Sequence, residues 1–293
     1  MNDFIIMTDT CCDLSSERAE GLGLVALPLT VRVQGKEYAD YLDRHEMPIE
    51  QFYELTRNGA EAQTSAINVQ TFMETMEKIL KEGKDILCLN FSSALSATCQ
   101  AAVMAAQELS STYPDRKVYV VDSLCVSMGQ GLLCHLCAKE KEKGATIEQV
   151  RDFAEEKKGS ICHWITVDDL NHLRRGGRLS ATGAVVGTML GIKPILCVDD
   201  AGRLVKNDTV RGRQAALKAL VDNMEKVAIN PKENPIFIGH GDCLEDAQKT
   251  ADMVKERFGA TDVYVDFMGT VIGAHGGPGT VGLFFLGTSR GKE

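Results

Sequence analysis

Residues 86–98 read Ile86-Leu87-Cys88-Leu89-Asn90-Phe91-Ser92-Ser93-Ala94-Leu95-Ser96-Ala97-Thr98. The apolar run Ile86–Phe91 predicts a strand, the serines a loop, and the alanine-rich stretch to about Leu109 a helix. Serine before a helix is commonly an N-cap, and capping leaves other first-turn N–H groups free for an anion. Working outward, Val118–Val121 is the next strand, ending at Asp122-Ser123, with helices expected over 126–143 and 146–158. Upstream, Asn68 can cap a helix whose core face is Phe72, Met73, Met76, Ile79 and Leu80, at a 3.6-residue period, closed by Gly83. Pro48 suits the first position of a helix to about Asn58. Leu24–Val33 reads as one extended stretch ended by Gln34-Gly35-Lys36, and Phe4–Met7 as a first, buried strand. Strands alternating with helices predict a parallel sheet with helices on both faces, and a ligand site beyond the carboxyl ends of its strands.

The pattern restarts at Ile161. Strands are expected over 161–167, 192–198, 235–239 and 263–267, with helices over 168–173, 180–190, 212–227 and 244–258. Arg174-Arg175-Gly176-Gly177-Arg178 reads as a loop, and Val271–Ala274 and Val281–Leu286 as two short strands around a glycine turn, a hairpin-like finish. The expected architecture is two α/β domains, residues 1–158 and 159–293, the first with a mainly parallel sheet.

Of the 293 residues, 44% are hydrophobic and 25% charged, the proportions of a globular chain. The net charge of −9 argues against a nucleic-acid partner, because such affinity comes from neutralising phosphates. The start of the chain has no basic flank and too short an apolar run for a signal peptide, and no run of about 18 apolar residues occurs. The ten cysteines are therefore read as reduced thiols of a cytoplasmic protein.

Four polar, glycine-bearing runs stand at expected strand ends: Thr8-Asp9-Thr10, Thr64-Ser65, Ser92–Ser96 and Ala274-His275-Gly276-Gly277-Pro278-Gly279. They offer hydroxyls, backbone N–H groups and one histidine, a set suited to a small anion such as a carboxylate. They form no metal-ligand set, and no cofactor is expected. Gly277–Gly282 fits G-x-G-x-x-G formally, but a strand-like run follows where a dinucleotide site needs a helix. Cys134-His135-Leu136-Cys137 lacks the second pair a zinc site wants, and helical cysteine commonly fills core space. His275, among Gly273, Gly276, Gly277 and Gly279, is the leading functional histidine, with a structural turn role as its plain reading. Arg174, Arg175, Arg178, Lys193, Arg203, Lys206, Arg211 and Arg213 form a basic region in an acidic chain; a solvated face and recognition of a phosphate-bearing or acidic partner both account for it.

In order along the chain, these runs resemble the DegV family of fatty-acid-binding proteins. Phe4–Leu14 resembles its T-D-S-x-x-D-L opening, and Ser92-Ser93-Ala94-Leu95-Ser96-Ala97-Thr98 its S-S-x-L-S-G-T, with Ala97 for glycine. Val121-Asp122-Ser123 matches V-D-S, and Leu173–Ser180 is similar to L-R-K-G-G-R-I-S. Gly191–Leu196 resembles x-I-K-P-I-L, and Gly273–Gly279 G-T-H-T-G-P-G. Ala66-Ile67 stands where the family commonly has Gln-Pro, and Ala274 and Gly276 replace two threonines.

The resemblance implies a bacterial carrier that holds one long-chain fatty acid between its two domains. The carboxylate would meet Thr64, Ser93 and His275, with Ser65, Ser92, Ser96 and Gly276 in the same site. A separate fatty acid kinase subunit would phosphorylate the carboxyl group for phospholipid synthesis, with Arg174 and Arg175 as candidate contacts to that kinase. The carrier itself would then not be a catalyst, and transient contact with a membrane surface is compatible with the role. Burying about 15 methylenes at roughly 0.8 kcal/mol each gives on the order of 12 kcal/mol before costs. Candidate tunnel residues are Ala184–Leu190, Ile195, Val281, Leu283 and Phe285, which core packing explains equally well. Two other readings remain open: a lipid sensor without a kinase, and an acyl hydrolase or transferase using Ser93 and His275. Against the last, no G-x-S-x-G elbow occurs.

Overall fold

The computed structural model describes residues 3–179 and 191–290. The helix expected over 180–190, and with it the tunnel candidates Ala184–Leu190, lies outside the described residues. The chain opens with β1 (Phe4–Asp9), α1 (Ser16–Gly21) and β2 (Leu24–Leu27). An excursion follows through β3 (Thr30–Val33), β4 (Lys36–Ala39), α2 (Ile49–Arg57) and β5 (Ala62–Ser65). Next come α3 (Val69–Lys81), β6 (Asp85–Asn90), α4 (Thr98–Thr112), β7 (Val118–Asp122), α5 (Met128–Glu142) and α6 (Ile147–Lys157). The remainder is β8 (Ile161–Thr166), α7 (Asn171–Arg175), β9 (Ile192–Val198), β10 (Leu204–Arg211) and α8 (Arg213–Val227). It closes with β11 (Ile236–His240), α9 (Leu244–Phe258), β12 (Val263–Phe267), α10 (Thr270–Gly276) and β13 (Val281–Leu286).

Strands β2-β1-β6-β7 form a fully parallel sheet, as the alternating pattern predicts. Every residue of β6 is buried, which is why its sequence is a nearly continuous apolar run. The second large sheet, β10-β9-β8-β13-β11-β12, is antiparallel except for β11 with β12. Helix α5 lies between the two large sheets, contributing Met128, Leu132, Leu133, Cys134 and Cys137 to a core that also holds Ile6, Leu87, Phe237 and Phe284. The approach is close: a Cβ added to Gly131 would come within 2.5 Å of the Cys12 carbonyl oxygen. Helices α8 and α9 cover the other face of the six-stranded sheet. Among the described residues no helix is long and apolar enough to cross a membrane.

Three expectations need correction. The stretch 24–33 is not one strand. It breaks around Pro28, which cannot donate to a ladder, so that Leu24–Leu27 joins the parallel sheet and Thr30–Val33 the small antiparallel sheet β4-β3-β5. Residues 271–274 are helical rather than extended, and β13 pairs with β8 and β11 instead of closing a hairpin. The start of α10 is satisfied from far away: Gly269 N–H donates to Asp13 (2.9 Å), and Thr270 N–H and hydroxyl donate to Asp40 (3.1 and 2.6 Å). No local signal reports such a cap. Finally, Arg174 and Arg175 close helix α7 rather than lying in a loop.

Candidate functional site

The excursion β3–β5 with α2 has its own core of Val31, Val33, Phe52 and Tyr53, and it packs against α10. The Tyr53 hydroxyl fixes it there by donating to the Met268 carbonyl (2.9 Å). This docking brings Thr64, on β5, to His275, in the last turn of α10: Thr64 Oγ1 lies 2.9 Å from His275 Nε2. The two residues are 211 positions apart in sequence. Gly176 admits the imidazole, since a Cβ there would sit 2.1 Å from His275 Nδ1. That Nδ1 is buried without a hydrogen-bond partner among the described residues. A bare lone pair is tolerated there better than an orphaned N–H, which places the ring proton on Nε2. His275 then donates to Thr64, whose own hydroxyl hydrogen is free for a ligand.

Burial, and secondarily the Arg178 guanidinium, push His275 down from 6.5 to about 4, so the ring is neutral at pH 7. The sign of the consequence follows from this depression. Between pH 6.5 and 4 the unfolded chain binds this proton and the folded one does not, so stability falls as pH falls through that window. His275→Gln should remove a share of at most about 3 kcal/mol from the acid loss, read as a flatter urea midpoint between pH 7 and 4. The share from His163, which burial also pushes well down, should remain.

Behind the Thr64–His275 pair runs a narrow apolar slot whose cavity volume is about 80 Å³. Its walls include Phe91 and Leu95 from the serine loop, Ile165 and Val167 at the end of β8, and Val271 and Ile272 from α10. Cys11, Leu29, Met268 and Leu204 also line it. Cys11 is held as a neutral thiol, its pKa raised chiefly by burial and further by Asp9, Asp13 and Asp40. On the solvent side, a polar cavity lined by Glu61, Gln63, His172 and Arg175 shares Thr64, Arg178 and His275 with the slot. The pair therefore stands at the junction of an apolar and a polar space.

The structure divides the sequence candidates. Thr64, Ser96, His275 and Gly276 line the slot together. Ser65, Ser92 and Ser93 are not among its lining residues. Ser92 is buried, its hydroxyl donating to the Gly202 carbonyl (2.8 Å). Ser93 is exposed, its N–H donating to Asp122 (3.2 Å). The Ser96 hydroxyl shares a hydrogen bond with Thr98 (3.0 Å) and accepts the Thr98 N–H (3.3 Å). Asp9 shapes this loop from β1, accepting from Phe91 N–H (2.8 Å) and from the Asn90 amide (3.3 Å). None of the hydrogen bonds described for these serines runs from a serine hydroxyl to a histidine or carboxylate, the arrangement an activated nucleophile requires. Arg174 and Arg175 are exposed, and only Arg175 lines the polar cavity.

The tunnel candidates Ile195, Val281, Leu283 and Phe285 are buried in the core under α8 and α9, not in the slot. Strand parity decides this: Phe284, one residue away, points into the core shared with α5. The walls that sequence reading did not single out, such as Ile165 and Val271, lie at strand and helix ends whose facing depends on the sheet order. Arg178 appeared in the sequence as one of several basic residues and within the Leu173–Ser180 run, with no ligand-binding role assigned to it. No group of three or more His, Cys, Asp or Glu side chains among the described residues is placed to hold a metal ion.

A family model described as "Uncharacterised protein, DegV family" matches residues 3–288. A DegV domain-containing protein of Clostridium perfringens is 41% identical over 290 residues, covering 99% of each chain. Two solved structures share the fold at 28% identity. A DegV lipid binding protein from Thermotoga maritima has a TM-score of 0.87 over 98% of this chain and 99% of its own. A DegV family protein from Thermus thermophilus, described as binding fatty acid, has a TM-score of 0.87 over 97% and 99%.

Proposed function

The chain belongs to the DegV family, and on that premise we propose that it binds one long-chain fatty acid, tail in the apolar slot and carboxylate at the Thr64–His275 pair. The observation that carries this reading is the junction itself: a slot walled by aliphatic side chains ends at a hydroxyl and a neutral imidazole. Such a mouth suits an amphiphile with a small hydrogen-bonding head. Apolar burial supplies the affinity and the polar pair fixes the orientation. Ser96 and Gly276 complete the mouth, while Ser92 and Ser93 hold the loop that carries Leu95.

In this reading residues 1–158 and 159–293 are the two units that enclose the ligand, and the protein is a cytoplasmic carrier rather than an enzyme. It presents the carboxylate through the polar cavity to a separate fatty acid kinase, whose product enters phospholipid synthesis. Thr64 and His275 border both the slot and that cavity, so a partner reaching into it meets the head group and not the tail. Calorimetric titration of delipidated protein with palmitate and oleate tests the binding claim. Saturable one-to-one binding is expected, and no heat and no retained ligand would refute it.

Arg174 is exposed on the last turn of α7, beside this cavity's Arg175. Arg174→Glu should slow phosphorylation of the bound acid by a cognate kinase about tenfold, less at high salt, because reversal of a rim charge acts mainly on association. Fatty-acid affinity should stay within about twofold, because Arg174 is not among the lining residues of the slot. Equal turnover at every salt concentration would remove Arg174 from the interface.

A further inference from the structure

We propose that Arg178 makes the mouth of the slot select an ionised head group over a neutral one of the same shape. The inference rests on the lipid-binding reading and assigns the charge selectivity of that same site. Arg178 lines both the apolar slot and the outer polar cavity. Its guanidinium is held between two backbone carbonyls, Nε donating to Leu95 O (3.1 Å) and a terminal nitrogen to Gly176 O (2.6 Å). One carbonyl belongs to the serine loop and the other to the turn that admits His275. Both acceptors are neutral, and among the described residues no carboxylate pairs with Arg178. Several other cations are paired: Lys193 and Arg213 with Asp168, Arg213 also with Asp246, Arg57 with Asp242, and Arg44 with Asp266. Arg290, like Arg178, is held by carbonyls, but it does not line the slot.

A half-buried arginine fixed at a ligand mouth, with no counter-ion among the described residues, is a standing preference for an anion, and the planar fork suits a carboxylate. Thr64 and His275 supply only the smaller part of this preference. Both are neutral, and a hydroxyl donor serves a fatty alcohol too, though less strongly than a carboxylate. The charge of Arg178 is felt in the mouth, since it helps to keep His275 unprotonated. The site thus divides its work: aliphatic walls take the tail, Thr64 sets the head position, and Arg178 sets the head charge.

The test compares hexadecanoate with 1-hexadecanol at pH 8, where the acid is ionised, on wild-type protein and on Arg178→Gln and Arg178→Lys. Wild type should favour the acid by at least about tenfold, the scale of one hydrogen bond to a charged group. Arg178→Gln should remove most of that preference while leaving alcohol affinity within about threefold, and Arg178→Lys should keep more of it. Equal wild-type affinities for acid and alcohol would overturn the assignment without touching the lipid-binding reading. So would an undiminished preference in Arg178→Gln, or equal weakening of both ligands, which marks a purely structural clamp on the serine loop. Failure of wild type to bind either ligand would instead refute the lipid-binding reading itself, and this assignment with it.

Discussion

Ile272→Trp is expected to reduce fatty-acid affinity more than about 100-fold while the protein stays folded. Ile272 is half-buried on α10, with its side chain on the wall of the slot. An indole there occupies space that the acyl chain needs. Excluding even four methylenes forfeits about 3 kcal/mol at roughly 0.8 kcal/mol each, which is already more than 100-fold. The overpacking cost to the fold is about 1–3 kcal/mol, smaller than the stability of an ordinary domain. Calorimetry with palmitate, beside a urea titration of the same sample, separates the two effects. Palmitate affinity within about threefold of wild type would mean that the tail lies elsewhere.

The second large effect is expected at the head group. Thr64→Val keeps the shape of the side chain and removes its hydroxyl. With His275→Ala it should weaken palmitate binding by roughly 10- to 100-fold, at 1.5–3 kcal/mol for the one hydrogen bond lost to the carboxylate. The two changes should not add. If His275 donates to Thr64 and Thr64 to the ligand, Thr64→Val alone removes the direct contact and His275→Ala adds little to it. Additive losses in a double-mutant cycle would show that both residues touch the ligand independently.

Much of the fold is legible in the sequence because its signals are local. The run Ile86–Phe91 is a buried strand because parallel strands are apolar throughout. Asn68 announces α3 because its side chain does accept the Thr71 N–H (2.9 Å). What the sequence hides is set by partners far along the chain. Thr270-Val271-Ile272 has the β-branched composition of a strand, and it becomes helix α10 because Asp13 and Asp40 satisfy its start. Both carboxyls are raised above their ordinary range, burial being the largest cause, so each is retained at a cost that the hydrogen bonds offset. The candidate site was legible in part for the same reason. Glycines around His275 and the pattern of hydroxyls mark Thr64, Ser96 and His275. Only the docked excursion, however, shows that Thr64 meets His275, and only the folded loops show that Ser92 turns toward Gly202 and that Arg178 reaches Leu95. Val281, Leu283 and Phe285 are equally apolar on either face of a sheet, and only the position of α5 against α8 and α9 decides which face meets a ligand.

The central claim is that the slot behind Thr64 and His275 is filled by an acyl chain. Organic extraction of the purified protein followed by mass spectrometry addresses it without a chosen probe. About one equivalent of long-chain fatty acid is expected in wild-type protein, with a large depletion in Ile272→Trp. An extract free of acyl chains, from protein that also fails to take up added palmitate or oleate, would contradict it.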